Sequence, residues 1–443
     1  MQLTVRPGPA LAGSFLPPGD KSITHRAYLL GLLAEGDSLV TGENPGADCA
    51  ATLSAAMALG METRRSREGL TLVGRAMSPR EPVRVIDCGN SGTTLRLLAG
   101  ILAAQPFLSV LAGDASLSRR PVGRVVEPLR RMGASLWARD GDRLPPLAIR
   151  GARLRPLRYE LPIPSAQVAS CVLLAGLFAE GDTSVEIPGA ARDHTERLLR
   201  ALGVPLEERP LAGGGRRVTV AGPARFSGAP FRIPGDFSAA AFFLAAAAAS
   251  PGGRVTARAV NLNPLRTGLL DVLEAMGARV ERESVRIESG EEVGDVTVIG
   301  PDRLEPFDVP PEWVPRLVDE VPAWAVAATA ASGVSRLTGA AELRVKESDR
   351  LAALARNLVS LGVEAREAPD GLEITGGAVR GGVVAAEDDH RVAMAFATLA
   401  CRASGPIRID GAETIATSYP AFAETLATLG GRVEREATGA ERS

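Results

Sequence analysis

Apolar and polar positions along the chain repeat one phrase: an amphipathic helix closing on Leu-Gly or Met-Gly, then a short strand. Copies end at Leu59-Gly60, Met132-Gly133, Leu202-Gly203, Met276-Gly277, Leu361-Gly362 and Leu429-Gly430. In the fifth copy Leu351, Leu354, Leu358 and Leu361 fall on one helical face. The glycine that follows suits the left-handed conformation that stops a helix. The chain then resumes as strand, as in Ala278-Arg279-Val280 or Arg432-Val433. A second mark, a small-residue turn leading into a strand, recurs at Glu35-Gly36-Asp37, Glu180-Gly181-Asp182, Gly252-Gly253, Ser332-Gly333 and Ser404-Gly405, with Gln105-Pro106 as a degenerate copy.

The copies lie roughly 70 to 85 residues apart, longer than the ~20–50 residues of stacking solenoid repeats. Six α/β units are predicted, each the size of a subdomain. The stretch Gly222 to Gly235, rich in Gly and Pro, falls between the third and fourth copies and predicts a crossing between two lobes of three units. The candidate strand Gln2-Leu3-Thr4-Val5 leads to Pro17-Pro18-Gly19, a second crossing. The expected division is residues 19–232 in one lobe and 1–18 plus 233–443 in the other, with a ligand in the cleft between lobes. The Ala-rich stretch after Asp236 reads as a buried core helix.

Composition narrows the class. A length of 443 residues allows two or three domains with substantial cores. Lys+Arg 50 against Asp+Glu 52 gives a formal charge of −2, so no basic field attracts nucleic acid or a membrane surface. The longest apolar run, Ala239 to Ala249, falls short of the roughly 20 residues a bilayer requires. The opening MQLTVRPGPA has neither a secretory nor a transit pattern. Cys49, Cys88, Cys171 and Cys401 are scattered without a CxxC pair, so neither a disulfide framework nor a zinc site is indicated. A soluble cytoplasmic protein is expected. Only Lys21 and Lys346 among the basic residues are lysines, and a lysine amine can give up its proton where arginine cannot. These two are candidates for proton handling or a tightly fitted role.

Polar clusters mark the predicted helix starts. In PPGDKSITHRAYLL, Lys21, Ser22 and Arg26 sit where a Gly turn enters a helix, a place suited to anions. Asp20 before the lysine breaks the P-loop pattern. In DCGNSGTTLRLLAG, Asn90, Ser91, Thr93 and Thr94 form a donor-rich turn, Gly92 permits close approach to the backbone, and Arg96 follows. In GDASLSRRPVGR, Arg120 precedes Pro121 and is held extended, which aims its guanidinium at a carboxylate or phosphate. Ser165 and Gln167 begin an apolar helix, with Ser165 a natural cap. Arg192, Asp193 and His194 open another.

The second half repeats the theme. Asp319 and Glu320 precede a nearly all-apolar helix. In ELRVKESDRLAAL, Lys346, Glu347, Asp349 and Arg350 gather, and helical spacing would put Lys346 and Arg350 one turn apart on one face. In EDDHRVAMAFATLA, Asp388, Asp389, His390 and Arg391 precede a further helix, with no His/Cys cluster to complete a metal site. Lys21, Arg120, Arg350 and Arg391 could converge on a small polyanion, with Lys21, Lys346, Asp319 and Glu347 on hand to move protons.

PGDKSITHR, GNSGTTLR, GDASLSRRP, SAQ, RDHTE, RVKESDR and DDHR occur in this order along the chain. The set resembles the 5-enolpyruvylshikimate-3-phosphate synthases over essentially the whole sequence. The resemblance implies an α/β (α+β) fold of two lobes, each of three βαβαββ units, the inside-out barrel of enolpyruvyl transferases. It implies transfer of the enolpyruvyl group of phosphoenolpyruvate to the 5-hydroxyl of shikimate 3-phosphate, with release of phosphate, on the route to aromatic amino acids. By the same resemblance Lys21, Ser22, Arg26, Ser165, Ala166, Gln167, Arg192, Asp319 and Lys346 would hold shikimate 3-phosphate. Lys21, Asn90, Gly92, Arg120, Gln167, Arg350 and Arg391 would hold phosphoenolpyruvate. Asp319 is the implied base for the attacking hydroxyl, and Glu347 with Lys21 the implied acid/base at the methylene carbon.

Two positions depart from some members of that family: Ala166 stands where a second serine occurs, and Thr417 where a lysine precedes the Ser418-Tyr419-Pro420 motif. A monomer without metal or cofactor, and without nucleic-acid or membrane partners, is expected. Two alternatives remain at this stage. One is the sister enzyme that transfers enolpyruvyl to a UDP-N-acetylglucosamine acceptor, although its loop cysteine has no counterpart in GDASLSRRPVGR. The other is a non-catalytic two-lobed anion-binding protein, which would have no use for Asp319 and Glu347 as proton carriers.

Overall fold

The computed structural model describes residues 2–212 and 214–436. Among them are six four-stranded sheets built to one plan. In the segment from Ile86 to Arg150, strand Ile86–Asp87 runs parallel to Leu108–Ala112. That strand is antiparallel to Leu144–Arg150, which pairs on its other side with Ser135–Ala138. Helix Gly92–Leu102 crosses over between the parallel strands, and helix Gly123–Met132 precedes the closing hairpin. This is a βαβαββ unit.

Three of the six sheets borrow a strand from far along the chain, one of them through Ala12–Phe15, the parallel edge partner of Arg254–Asn261. Asp37–Thr41 takes its parallel edge partner from Phe231–Arg232. Gln2–Arg6 is an inner strand of the last sheet, between Ile407–Asp410 and Arg432–Glu436. Leu3 and Val5 alternate into the core while Gln2 and Thr4 do not, the period-2 pattern of a half-buried strand.

The chain divides into two units. One comprises Gly19–Pro234 with Ile287–Glu291, the other Met1–Pro18, Gly235–Arg286 and Glu292–Ser443. They are called here the N unit and the C unit. Each has its own buried apolar core and three of the six sheets. In the C unit the Ala-rich helix Phe237–Ala248 is buried along its whole length, as its lack of a polar face requires.

The helix-stopping glycines behave as the repeat predicts. Gly60, Gly133, Gly203, Gly277, Gly362 and Gly430 all have positive φ. Each is followed by a strand, which in the first five opens a closing hairpin, as Glu62–Arg65 and Ala365–Ala368 do, and in the last, Arg432–Glu436, pairs with Gln2–Arg6. Leu351, Leu354, Leu358 and Leu361 are all buried.

A second internal echo lies at two of the points where the chain passes between units. Pro18-Gly19-Asp20 and Pro234-Gly235-Asp236 each lead into a helix capped by the aspartate. Gly19 can only be glycine: a Cβ there would lie 1.8 Å from the Gly42 carbonyl oxygen. Downstream, Asn44-Pro45 and Asn263-Pro264 match as well. Asn44 accepts from the Gly46 amide and Asn263 from the Leu265 amide, through the same side-chain turn.

Candidate active site

In the N unit the site begins at Asp20, whose carboxylate caps helix Lys21–Leu33 by accepting from the Ile23 amide at 2.9 Å. Lys21 is thus the first helical residue. Its Nζ is 2.9 Å from Asp48 Oδ2, at the start of helix Ala47–Ala58. The carboxylate holds the ammonium in one place; Asp48 was not anticipated from the sequence, although an acidic residue in a first helical turn is a readable signal. Arg26 is buried, and its Nη1 donates to the Ser22 carbonyl at 2.8 Å.

Three helix starts are tied together beneath these residues. His25 Nδ1 lies 2.6 Å from Thr52 Oγ1, Thr52 is 2.5 Å from Thr94 Oγ1, and Thr94 donates to Ser91 at 2.7 Å. Burial first, and then the nearby charges of Lys21 and Arg26, hold the His25 imidazole well below its usual pKa. It is a neutral strut, not a proton carrier.

Ser91 caps helix Gly92–Leu102 by accepting from the Thr94 amide. A Cβ on Gly92 would lie 2.7 Å from Arg96 Nη1 and 3.0 Å from both Cζ and Nη2 of Arg120. Two guanidinium groups therefore flank the glycine. Arg120 donates from Nη1 to the Asn90 carbonyl at 3.1 Å, and Asn90 donates from its side chain to Asp114 at 3.0 Å. Arg96 donates to Gln167 Oε1 at 2.7 Å, and Gln167 donates in turn to Thr93 at 2.9 Å. Ser165 caps helix Ala166–Gly176, as expected. Arg192 lies two residues before helix His194–Ala201 and is partly buried.

In the C unit the centre is Arg350, only 1% exposed. It opens helix Arg350–Ser360, which Asp349 caps. Its Nε donates to Asp389 Oδ2 at 2.7 Å, Nη2 to Glu347 Oε2 at 2.6 Å and Nη1 to Asp319 Oδ1 at 3.4 Å. Burial works against its charge, but Asp389, Glu347 and Asp319 together outweigh burial and push its pKa above the ordinary arginine range. Asp389 caps helix His390–Leu399 and is itself fully buried. Arg391 donates from Nη1 to the Asp319 carbonyl at 3.1 Å, and its Nη2 is 3.7 Å from the Asp319 carboxylate. Glu320, next in the chain, is buried and accepts from Ser238.

Asp319, Glu347, Arg350 and Arg391 thus form one cluster. Lys346 departs from the expectation. It follows the short 3-10 helix Ala341–Val345 and precedes the Asp349 cap, so it shares no helical face with Arg350. Its Nζ pairs with Glu342 at 3.2 Å. The turn needed to cap the helix at Asp349 breaks the helical spacing on which that pairing relied. Thr417 ends the 3-10 helix Ala412–Thr417. Among the described residues no group of His, Cys, Asp and Glu is arranged to hold a metal ion.

Residues 5–426 match the family described as EPSP synthase (3-phosphoshikimate 1-carboxyvinyltransferase). A 3-phosphoshikimate 1-carboxyvinyltransferase of Acidithiobacillus ferrooxidans is 48% identical over 421 residues, 94% of this chain and 95% of that one. One from Thermus thermophilus is 49% identical over 420 residues, covering 95% and 96%. Among solved structures, EPSP synthase from Acinetobacter baumannii superposes with a TM-score of 0.86 at 42% identity, over 98% of this chain and 100% of that one. The enolpyruvyl transferase NikO from Streptomyces tendae shares the fold at a TM-score of 0.79 and 17% identity, over 99% of each chain.

Proposed function

The chain belongs to the EPSP synthase family, and from that premise we propose how its own residues divide the reaction. The enzyme is a transferase that moves the enolpyruvyl group of phosphoenolpyruvate to the 5-hydroxyl of shikimate 3-phosphate and releases phosphate. Both substrates are anions, so binding them together calls for several fixed cations. In this reading residues 19–232 mainly hold the acceptor, through Lys21, Ser22, Arg26, Ser165, Ala166, Gln167 and Arg192. Residues 1–18 and 233–443 supply the acid/base groups and further phosphoenolpyruvate contacts. Asn90, Gly92 and Arg120 serve phosphoenolpyruvate from the N unit, Arg350 and Arg391 from the C unit. Asp319 and Lys346 complete the acceptor site.

The chemistry proceeds by addition and elimination. Asp319 takes the proton of the 5-hydroxyl as its oxygen bonds to the enol carbon. Glu347, with Lys21, delivers a proton to the methylene carbon. The same pair then removes a methyl proton as the bond from carbon to the phosphate oxygen breaks. Cationic character grows at the enol carbon in the first step, and the carboxylates of Asp319 and Glu347 stabilise it. Holding the hydroxyl against the enol carbon can contribute roughly 7–11 kcal/mol.

The observation that carries this reading is the buried Arg350, which gathers both proposed proton carriers, Glu347 at 2.6 Å and Asp319 at 3.4 Å. A simple anion binder gains nothing from carboxylates placed against its cation. Incubation with phosphoenolpyruvate and either acceptor tests it. Phosphate release with shikimate 3-phosphate is expected. Release only with the UDP-amino sugar, or with neither, overturns the reading. The sister enzyme's cysteine chemistry also finds no support in this chain. All four cysteines are buried, and burial pushes the thiols of Cys88 and Cys401 up to about 12.

Gly92 gives a second test. Gly92→Ala forces Arg96 or Arg120 to move, since the Cβ would meet their guanidinium groups at 2.7–3.0 Å. The KM for phosphoenolpyruvate is expected to rise about tenfold, equivalent to about 1.4 kcal/mol. An unchanged KM would detach this corner from that substrate. The working form proposed is a cytoplasmic monomer. Among the described residues no helix is long and apolar enough to cross a membrane.

A further inference from the structure

Arg26 lies one helical turn after Ser22 and is 4% exposed. Two hydroxyls brace its guanidinium from other helices. Nε donates to Thr195 Oγ1 at 2.7 Å and Nη2 to Ser170 Oγ at 2.8 Å. Thr195 also donates to Ser170 at 2.7 Å, so the two hydroxyls fix each other as well as the arginine. Both are fully buried. Ser170 is on helix Ala166–Gly176, one turn after Gln167, and Thr195 is on helix His194–Ala201, just beyond Arg192.

We propose that Thr195, seconded by Ser170, is a positioning residue that sets the affinity for shikimate 3-phosphate by fixing the plane of Arg26. The proposal rests on the reading that Arg26 grips that substrate. A guanidinium binds an anionic group best through two parallel N–H bonds, which demands a fixed plane as well as a fixed position. Arginine has a long, flexible stem, and a site relying on it must hold the fork by its inner edge. Neutral hydroxyls do this without cancelling the charge, whereas a carboxylate in their place would compete with the substrate. The neighbouring charged residues have other partners: Glu196 faces Arg216 at 3.3 Å, and His194 faces Glu291 at 2.7 Å. Within the RDHTE motif it is the uncharged threonine that reaches the substrate-binding cation.

Thr195→Val preserves shape and removes the hydroxyl. The KM for shikimate 3-phosphate is expected to rise at least tenfold, while kcat and the KM for phosphoenolpyruvate change less than about twofold. Thr195→Ser should restore the normal KM, which a loss of packing alone would not allow. Ser170→Ala should raise the same KM, and supplies the test if Thr195→Val fails to fold. On an Arg26→Gln background, Thr195→Val should add nothing further, the non-additivity of residues acting through one group. If Arg26→Gln raises the KM for shikimate 3-phosphate but Thr195→Val and Ser170→Ala do not, the proposal falls. If Arg26→Gln itself leaves that KM unchanged, the assignment of Arg26 falls instead.

Discussion

Glu347→Gln is expected to keep the fold and lose turnover by roughly 10²–10⁴-fold, the usual contribution of a positioned acid/base. Glutamine has nearly the same shape and can still accept a hydrogen bond from Arg350 Nη2, which Glu347 Oε2 meets at 2.6 Å. Arg350 also keeps Asp389 at 2.7 Å and Asp319 at 3.4 Å. What the variant cannot do is hand a proton to the methylene carbon and take one back. The loss should therefore appear in kcat, with the KM for phosphoenolpyruvate unchanged or lower, because an anion at Arg350 no longer has to compete with the Glu347 carboxylate. Single-turnover phosphate release at saturating substrate reads this directly. A normal rate removes Glu347 from the chemistry and leaves Lys21 as the proton donor.

Much of the fold was legible because it is repeated. Six helix-stopping glycines in a chain of this length mark a period, and all six take the left-handed conformation that the pattern requires. The edge strands were not legible, since Ile86–Asp87, Phe231–Arg232 and Asp308–Val309 are two residues long. Nothing so short carries a hydrophobic period. Nor does local patterning reveal that Phe231–Arg232 pairs with Asp37–Thr41 across the length of the N unit. The echo of Pro18-Gly19-Asp20 in Pro234-Gly235-Asp236 is readable in the sequence, and it marks two of the points where the chain passes between units; the short excursion Ile287–Glu291 carries no such mark.

The site was legible where it is charged. Polar clusters at the starts of apolar helices placed Lys21, Arg350 and Arg391 at positions where Asp20, Asp349 and Asp389 serve as caps. The six-fold plan explains why: a βαβαββ unit offers a helix start beyond each parallel strand, and a helix start favours anions. The residues that escaped notice are those that hold the charged ones. Asp48 steadies Lys21, and Thr195 with Ser170 steadies Arg26. Each comes from a segment distant in sequence from its partner, and a serine or threonine inside an amphipathic helix looks no different from any other. Lys346 was misplaced for the converse reason. Its spacing from Arg350 suggested a shared helical face, and only the cap at Asp349 shows that the helix begins later.

Arg350→Met should cost about 3–5 kcal/mol of stability, the range found when one partner of a buried ion pair is removed. Arg350 and Asp389 are both essentially inaccessible to water, and Asp319 and Glu347 are mostly buried beside them. The cation balances three carboxylates. Methionine can fill the space of the side-chain stem, so the loss is electrostatic and not a matter of volume. Trp324 provides the readout, since it lies fully buried in helix Val321–Ala328, which starts directly after Asp319 and Glu320. Urea unfolding followed by tryptophan fluorescence, in a Trp137→Phe/Trp313→Phe background that leaves Trp324 as the sole emitter, should show an earlier midpoint for Arg350→Met. Adding Asp389→Asn should recover part of the difference, because asparagine still caps helix His390–Leu399 while removing one stranded charge. A loss below about 1 kcal/mol, a value typical of exposed pairs, would mean that water reaches this cluster and that Arg350 does not bind Glu347 and Asp319 as tightly as their distances imply.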